Sequence, residues 1–309
     1  MLNSGWSLGI TLQNICGRSK ERYIRLIHKQ LEGSVFRETS EPFLAADTFY
    51  ALATVHLHDS SEIARISSCS RDNIVFIVGD LIDELITFCA SHAPQIEIGN
   101  LIIHDTDRSF TQSDLEPLFT YVDKIFCINY LGRSTTKITG LPLGLENKIY
   151  LSGGLLKSFE KSFKKGRDRR IGILVAWNDS TYIESRQEAR VELEKSKNTF
   201  SLRKRVAASV LHKLMSNSLF VACPRGNGLD THRFWETIYL GAIPVIKRDE
   251  ALPIHADWPS LIVDSWSDVT NMNREQLIEE YFRITAHKHD LIARSKTVIE
   301  QVNCLRVNL

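Results

Sequence analysis

The sequence predicts an α/β protein made of two halves, each a parallel sheet covered by helices. Three observations predict it. Short apolar runs alternate with longer amphipathic stretches, the signature of βα units. The chain has 309 residues, which at roughly 150 residues per domain is about two domains. A basic stretch, residues 157–170, separates two series of such units and divides the chain into 1–165 and 166–309.

In the first half the strand runs are Ile74 to Val78, Leu101 to His104, Lys124 to Ile128 and Ile138 to Leu143, with helical stretches near residues 80–92 and 113–121. In the second half they are Arg170 to Ala176, Leu219 to Cys223, Ala242 to Ile246 and Leu261 to Val263. Helical periodicity there covers Glu184 to Lys195, Arg203 to Ser216, Thr231 to Leu240 and Arg274 to Val302, the last broken along its length. There is no internal repeat of fixed period. In such folds ligands sit beyond the carboxyl ends of the strands, and a two-domain pair would hold one in the cleft between the halves.

Composition narrows the function classes. Hydrophobic residues at 43% and charged residues at 24% are globular values, and 16 Gly and 8 Pro form no tract, which excludes disordered and collagenous chains. With 38 Lys and Arg against 37 Asp and Glu, the net charge of +1 gives no overall field for nucleic acid or an anionic membrane. Basic character is local: residues 157–170 carry seven basic and two acidic side chains. That stretch reads as a solvated connector or as a surface drawn to anionic lipid or a lipid-diphosphate acceptor, at about 1 kcal/mol per basic residue.

Cys16, Cys69, Cys89, Cys127, Cys223 and Cys304 are scattered singly, with no CxxC pair and no zinc-finger histidines. Several lie in apolar runs, as free thiols do in a reducing compartment. Met1 to Gln13 lacks the pattern of a secretory leader, and no run approaches the roughly 20 apolar residues of a membrane span. The expectation is a cytoplasmic protein, peripheral at most at the inner face of a membrane. Asn178-Asp179-Ser180 fits a glycosylation sequon that such a location leaves unused. His56 and His58 have no third ligand at hand and read as structural or exposed.

Chemistry concentrates in Leu219 to Ile246, which reads strand, Gly-rich turn, helix, Gly stop, strand. Pro224 ends the strand, Gly226 and Gly228 permit positive φ, and Asp230 or Thr231 serves as N-cap. The turn delivers a helix N-terminus to the strand's carboxyl end, favourable for a phosphate. Arg225 adds a planar, permanently charged fork suited to diphosphate oxygens. Arg233 and Glu236 share a helix face, either as a structural ion pair or with Arg233 on phosphates and Glu236 on ribose hydroxyls. Phe234, Trp235, Ile238 and Tyr239 supply the buried face. GxGxxG, GxxxxGK[ST], GxSxG and HExxH are all absent.

At these residues the sequence resembles exostosin-like glycosyltransferases and related bacterial polysaccharide glycosyltransferases, which share a similar C-P-R-G, R-x-W-E, G-x-I-P-V-I succession. The match continues through Asp249 and Leu252-Pro253 to Trp258. A weaker similarity covers His104-Asp105-Thr106-Asp107, Ile128-Asn129 and Leu141 to Asn147, so that the whole spans roughly residues 100–265. The resemblance implies two Rossmann-like domains facing across a cleft, the GT-B arrangement. It also implies a nucleoside-diphosphate sugar held mainly by the second half, a glycan or lipid-linked acceptor, and inverting transfer with no metal or other cofactor.

Carried over by position, Arg225 and Arg233 hold the diphosphate, with Arg186 as a second phosphate ligand. Gly226, Asn227 and Gly228 let the backbone approach it, Asp230 and Thr231 open the helix, and Glu236 binds the ribose. Inversion needs a base on the far side of the sugar. Asp107 and His104, then Asp105, stand at the carboxyl end of an apolar strand and are expected to supply it. Two other readings attach to Asp105-Thr106-Asp107: a DxD metal site of a GT-A type transferase, and a solvated loop. A catalytically silent nucleotide or phosphosugar binder is the alternative from a different class. A transferase acting on protein or nucleic acid has only the basic connector in its favour.

Overall fold

The computed structural model describes residues 39–93, 95–147, 156, 158–159, 169–286 and 291–303. In the first half, helix α1 (Ala46–Leu52) leads to strand β1 (Val55–Leu57), a 3₁₀ stretch (Ser60–Ser68), β2 (Ile74–Val78), α2 (Ile82–His92) and β3 (Ile98–His104). Then come α3 (Gln112–Leu115), which tightens into a 3₁₀ turn (Glu116–Leu118), β4 (Val122–Cys127) and β5 (Ile138–Gly140). The second half runs β6 (Ile171–Ala176), α4 (Ile183–Leu193), β7 (Thr199–Leu202), α5 (Ala208–Ser216), β8 (Ser218–Ala222) and α6 (His232–Tyr239). It closes with β9 (Ile243–Lys247), α7 (Pro253–Ala256), β10 (Leu261–Val263), α8 (Trp266–Thr270), α9 (Arg274–Ala286) and α10 (Leu291–Asn303).

Both sheets are parallel throughout. The first is ordered β1-β2-β3-β4-β5, in strict chain sequence, and the second β10-β9-β8-β6-β7. The two Rossmann-like units predicted are present, but only the second reverses its strand order among the described residues. Register places Val78 opposite His104 and Ile103 opposite Cys127, so the carboxyl ends of β2, β3 and β4 lie level.

Burial on both faces explains why the strands read as unbroken apolar runs. In the second sheet Ile173, Val175, Phe220 and Val245 face Ala189, Leu193, Trp266 and Leu277, while Leu174, Ala176, Val221 and Ile246 face Met215, Phe234 and Trp235. The first sheet divides likewise: Val75, Ile77, Leu101 and Ile103 meet α2, and Ile74, Phe76, Ile102 and Phe126 meet Phe43 and Phe49. The inner faces of the two sheets share one continuous core, in which Phe43 and Phe49 join Trp235, Tyr239, Trp258, Leu291 and Val302. Each such side chain contributes about 1.5–3 kcal/mol by leaving water, and this shared core clamps the halves together.

Hydrogen bonds fix the same junction. Assigned by sequence to the second half, α10 rests on the first, where Asn100 Nδ2 donates to Val302 O at 2.8 Å. Leu44 N donates to the Tyr239 hydroxyl at 3.2 Å, which also bonds Ser295 Oγ at 2.8 Å. Burial pushes the Tyr239 phenol up to about 12. Gly144 has φ +74°, and a Cβ there would collide with the Leu44 carbonyl, so the chain before α1 can lie directly on it.

The connector is described only at Ser158, Phe159, Arg169 and Arg170, and the leader region, Cys16 and Cys304 lie outside the described residues. Arg169 is held against the second half. Its guanidinium donates to Ser216 O, Ser218 O and Leu240 O and lies 5.4 Å from the Tyr281 ring centroid. Cys69, Cys89, Cys127 and Cys223 are free thiols, and no described helix is long and apolar enough to cross a membrane.

One buried histidine gives the fold a pH dependence. His212 on α5 is 2% exposed, its ring 4.8 Å from that of Phe159 and its Nδ1 without a hydrogen-bond partner. Burial pushes its pKa down, Glu236 opposing and Arg233 assisting. As pH falls below about 6.5, the unfolded chain takes up a proton that the folded chain refuses. Stability present above that pH is therefore lost towards the lower folded value. Thermal midpoints measured from pH 7.5 to 5.5 are expected to decline less steeply for His212→Phe than for the wild type.

Candidate functional site

Strand order reverses between β6 and β8. The connections that leave these neighbours pass to opposite faces of the sheet, α4 packing with Val175 and α6 with Val221. A crevice must open between the two loops at their carboxyl ends. Its walls are residues 177–182 after β6 and residues 223–231 after β8.

Arg186, in the first turn of α4, spans it. Its Nη1 donates to Asn178 O at 2.8 Å on one wall and its Nε to Arg225 O at 3.0 Å on the other. Burial lowers its pKa, and the Arg233 guanidinium is the next cause. Two permanently charged groups thus stand close enough to repel, which favours an anion between them. Arg225 curls over its own loop, donating from Nε to Gly226 O at 3.3 Å and from Nη2 to Asn227 O at 2.9 Å, with its guanidinium 4.0 Å from the Tyr182 ring centroid. Asn227 itself is exposed at the turn.

Arg233 and Glu236 form the ion pair their spacing allows: Nη1 and Oε2 are 3.2 Å apart, and the Glu236 side chain is only 9% exposed. Arg233 also lies against Met215 Sδ. Both residues lie near Cys223, whose thiol burial pushes up to about 12.

Several sequence expectations change here. The described glycines with positive φ are Gly144 and Gly241, so Gly226 and Gly228 serve not as left-handed residues but as points of close approach. A methyl group on Gly226 would lie 3.3 Å from Arg186 Nη2, and one on Gly228 would lie 3.3 Å from both Asp107 Oδ1 and Asn129 Nδ2. Thr231 occupies the N-cap position of α6 without a side-chain cap bond.

Asp230 is not the N-cap but a buried hub. Its carboxylate accepts from Leu143 N at 2.8 Å, Trp235 Nε1 at 2.8 Å, His255 Nε2 at 3.0 Å and Thr231 N at 2.8 Å. Leu252 N donates to His255 Nδ1 at 3.1 Å, so the ring's proton sits on Nε2 and points at Asp230. Asp230 N in turn donates to Asn129 Oδ1 at 2.9 Å, and His232 Nδ1 bonds Gly144 O at 2.9 Å. These bonds join the Gly-rich loop to the first half.

The first half presents the loops after β3 and β4. His104 is wholly buried against Phe49 and Phe76, its Nδ1 accepts from Asp105 N at 2.9 Å, and its Nε2 has no partner. A ring with its acceptor nitrogen occupied and no exposure cannot take a proton from a substrate. Asp105 adopts φ 52°, its Oδ1 3.3 Å from His104 Nδ1. Asp107 is exposed and faces Gly228 across the cleft. Among the described residues no three His, Cys, Asp or Glu side chains come together as a metal-binding group. His56 lies on β1, its Nε2 2.9 Å from Tyr50 O and its ring stacked on Tyr50.

Sequence reasoning missed Glu250. It is buried, accepts from Arg225 N at 3.0 Å and from Ser185 Oγ, and so ties the loop after β8 to the first turn of α4. Its only sequence signal is an acidic residue a few positions beyond a strand end. Tyr182 was also missed; nothing in residue type marks a tyrosine that stacks on an arginine 43 positions away.

No family model matches the chain, and no curated protein matches it. Solved structures similar to it include the UDP-forming α,α-trehalose-phosphate synthase of Burkholderia vietnamiensis, at 11% identity over 85% of this chain and 76% of that chain, with TM-score 0.39. The enzyme of Burkholderia xenovorans in complex with glucose-6-phosphate is 12% identical over 85% and 77%, with TM-score 0.35. That of Burkholderia multivorans is 11% identical over 85% and 73%, with TM-score 0.35. At that similarity the chain's own residues, and not these neighbours, define the site.

Proposed function

We propose that the protein is a glycosyltransferase of GT-B type that moves a sugar from a nucleoside diphosphate to a glycan or lipid-linked acceptor, with inversion and without a metal. One observation carries this reading: Arg186, Arg225 and Arg233 gather at the switch-point crevice of the second sheet, with the Asp107 carboxylate across from their loop. The resemblance of residues 223–246 to exostosin-like transferases supports the same assignment.

The chemistry follows from those groups. As the bond from sugar to diphosphate breaks, negative charge grows on the leaving oxygens, and fixed guanidinium groups stabilise it without reorganising. Glu236 can release Arg233 to the phosphates and accept from ribose hydroxyls. Asp107, opposite, takes the proton of the acceptor hydroxyl as it attacks. Attack from the side away from the leaving group inverts the anomeric carbon.

Thermal stabilisation by UDP, GDP, CMP, ADP and dTDP, each in EDTA and in Mn²⁺, tests the donor side. One nucleotide in EDTA is expected to raise the melting temperature, since a ligand at about 100 times its dissociation constant contributes roughly 2.7 kcal/mol. Stabilisation only with Mn²⁺ would shift the donor to Asp105 and Asp107. No stabilisation by any nucleotide would contradict the proposal.

A further inference from the structure

We infer that Tyr182 is a positioning residue whose ring braces the Arg225 guanidinium for a diphosphate; the inference rests on the reading of the crevice as a diphosphate site. Among the described residues three other than glycine have positive φ: Asp105 at 52°, Asn129 at 52° and Tyr182 at 48°. All three stand on loops beyond strand carboxyl ends. Asp and Asn visit that region readily through local hydrogen bonds. Tyrosine does not, and the conformation costs energy that something else must offset.

Neither capping nor packing supplies the offset. Tyr182 occupies the N-cap position of α4 with no side-chain cap bond, and it is 41% exposed. What its ring does contact is Arg225, whose guanidinium carbon lies 4.0 Å from the ring centroid. Beneath, Arg225 Nε and Nη2 hold to Gly226 O and Asn227 O, and Arg225 N is anchored on Glu250. The guanidinium is therefore held between ring and loop. The ring covers its face and the loop carbonyls take Nε and Nη2, which leaves Nη1 to meet a phosphate oxygen in the crevice.

The test titrates inorganic pyrophosphate and UDP, both in EDTA, into the wild type, Tyr182→Ala, Tyr182→Gly, Tyr182→Phe, Arg225→Gln and the Tyr182→Ala/Arg225→Gln pair. Tyr182→Ala and Tyr182→Gly are expected to weaken both probes by the same factor, about two- to fivefold, and Tyr182→Phe to restore the wild-type affinity. In the Arg225→Gln background the alanine is expected to add nothing, because both changes remove one interaction. Tyr182→Gly is expected to melt no lower than the wild type, since glycine adopts this backbone freely. That outcome separates a lost brace from a damaged fold.

Unchanged affinity in the alanine and glycine variants, or additive losses in the double variant, would overturn the inference while leaving the diphosphate reading intact. Loss for UDP with pyrophosphate unaffected would also overturn it, assigning the ring to the nucleobase. Failure of the wild type to bind either probe would remove the diphosphate reading itself, and the inference with it.

Discussion

Replacing Asp107 with asparagine is expected to lower sugar transfer by about 10²–10⁴-fold, the span that a positioned general base supplies, and to leave nucleotide binding nearly unchanged. The split follows from placement. Asp107 belongs to the first half, is exposed, and faces Gly228 rather than the arginines. Its removal leaves no buried donor without a partner, so stability is expected to change by no more than about 0.5 kcal/mol. His104→Gln offers the contrast, because its ring is buried and its Nδ1 serves the Asp105 amide; a loss there would arise through the shape of the loop. Turnover of Asp107→Asn at the wild-type rate would remove Asp107 from the mechanism.

Asp230→Ala is expected to cost about 3–5 kcal/mol, because it leaves several buried donors without a partner. The carboxylate accepts four N–H groups, and its removal strands Trp235 Nε1, His255 Nε2 and Leu143 N, all withdrawn from water or nearly so. Each orphaned donor costs about 1–3 kcal/mol. Against a net stability of 5–15 kcal/mol this is a large fraction, and the thermal midpoint is expected to fall by about 10 °C. Nucleotide binding should weaken with it, because the Asp230 carboxylate, through Leu143 N, connects the Gly-rich loop to the first half. A variant that melts with the wild type would show that the halves are held by their shared apolar core alone.

Much of the fold was legible because a parallel strand buried on both faces leaves an unbroken apolar run. Ile74–Val78 and Leu261–Val263 have the bounds predicted for them. The edge strands β1 and β7 were not legible, since Val55–Leu57 and Thr199–Leu202 are only half buried and carry polar residues among apolar ones. The helix predicted from Arg203 begins at Ala208, after a basic, partly exposed segment with no apolar face. Helix α8 did leave a signal, the Ser265 and Asp268 capping box.

In the site, residue type located the loop after β8 and its arginines, because glycine and arginine next to a strand end are local signs. It did not reveal that Asp230 is a buried hub. Three of that residue's partners, Asn129, Leu143 and His255, come from other loops and elements, the first two from the other half, and such bonds exist only once the chain has folded. Burial of His104 was hidden for the same reason: Phe49 and Phe76 reach it from other elements.

We propose a nucleoside-diphosphate site in the crevice between the carboxyl ends of β6 and β8. Its most direct test is a crystal structure of the protein grown in EDTA with the nucleotide that stabilises it best. Density for the diphosphate is expected among Arg186, Arg225 and Arg233, with the distal phosphate toward Asp107. A diphosphate held elsewhere, or none in the crevice at saturating nucleotide, would contradict it.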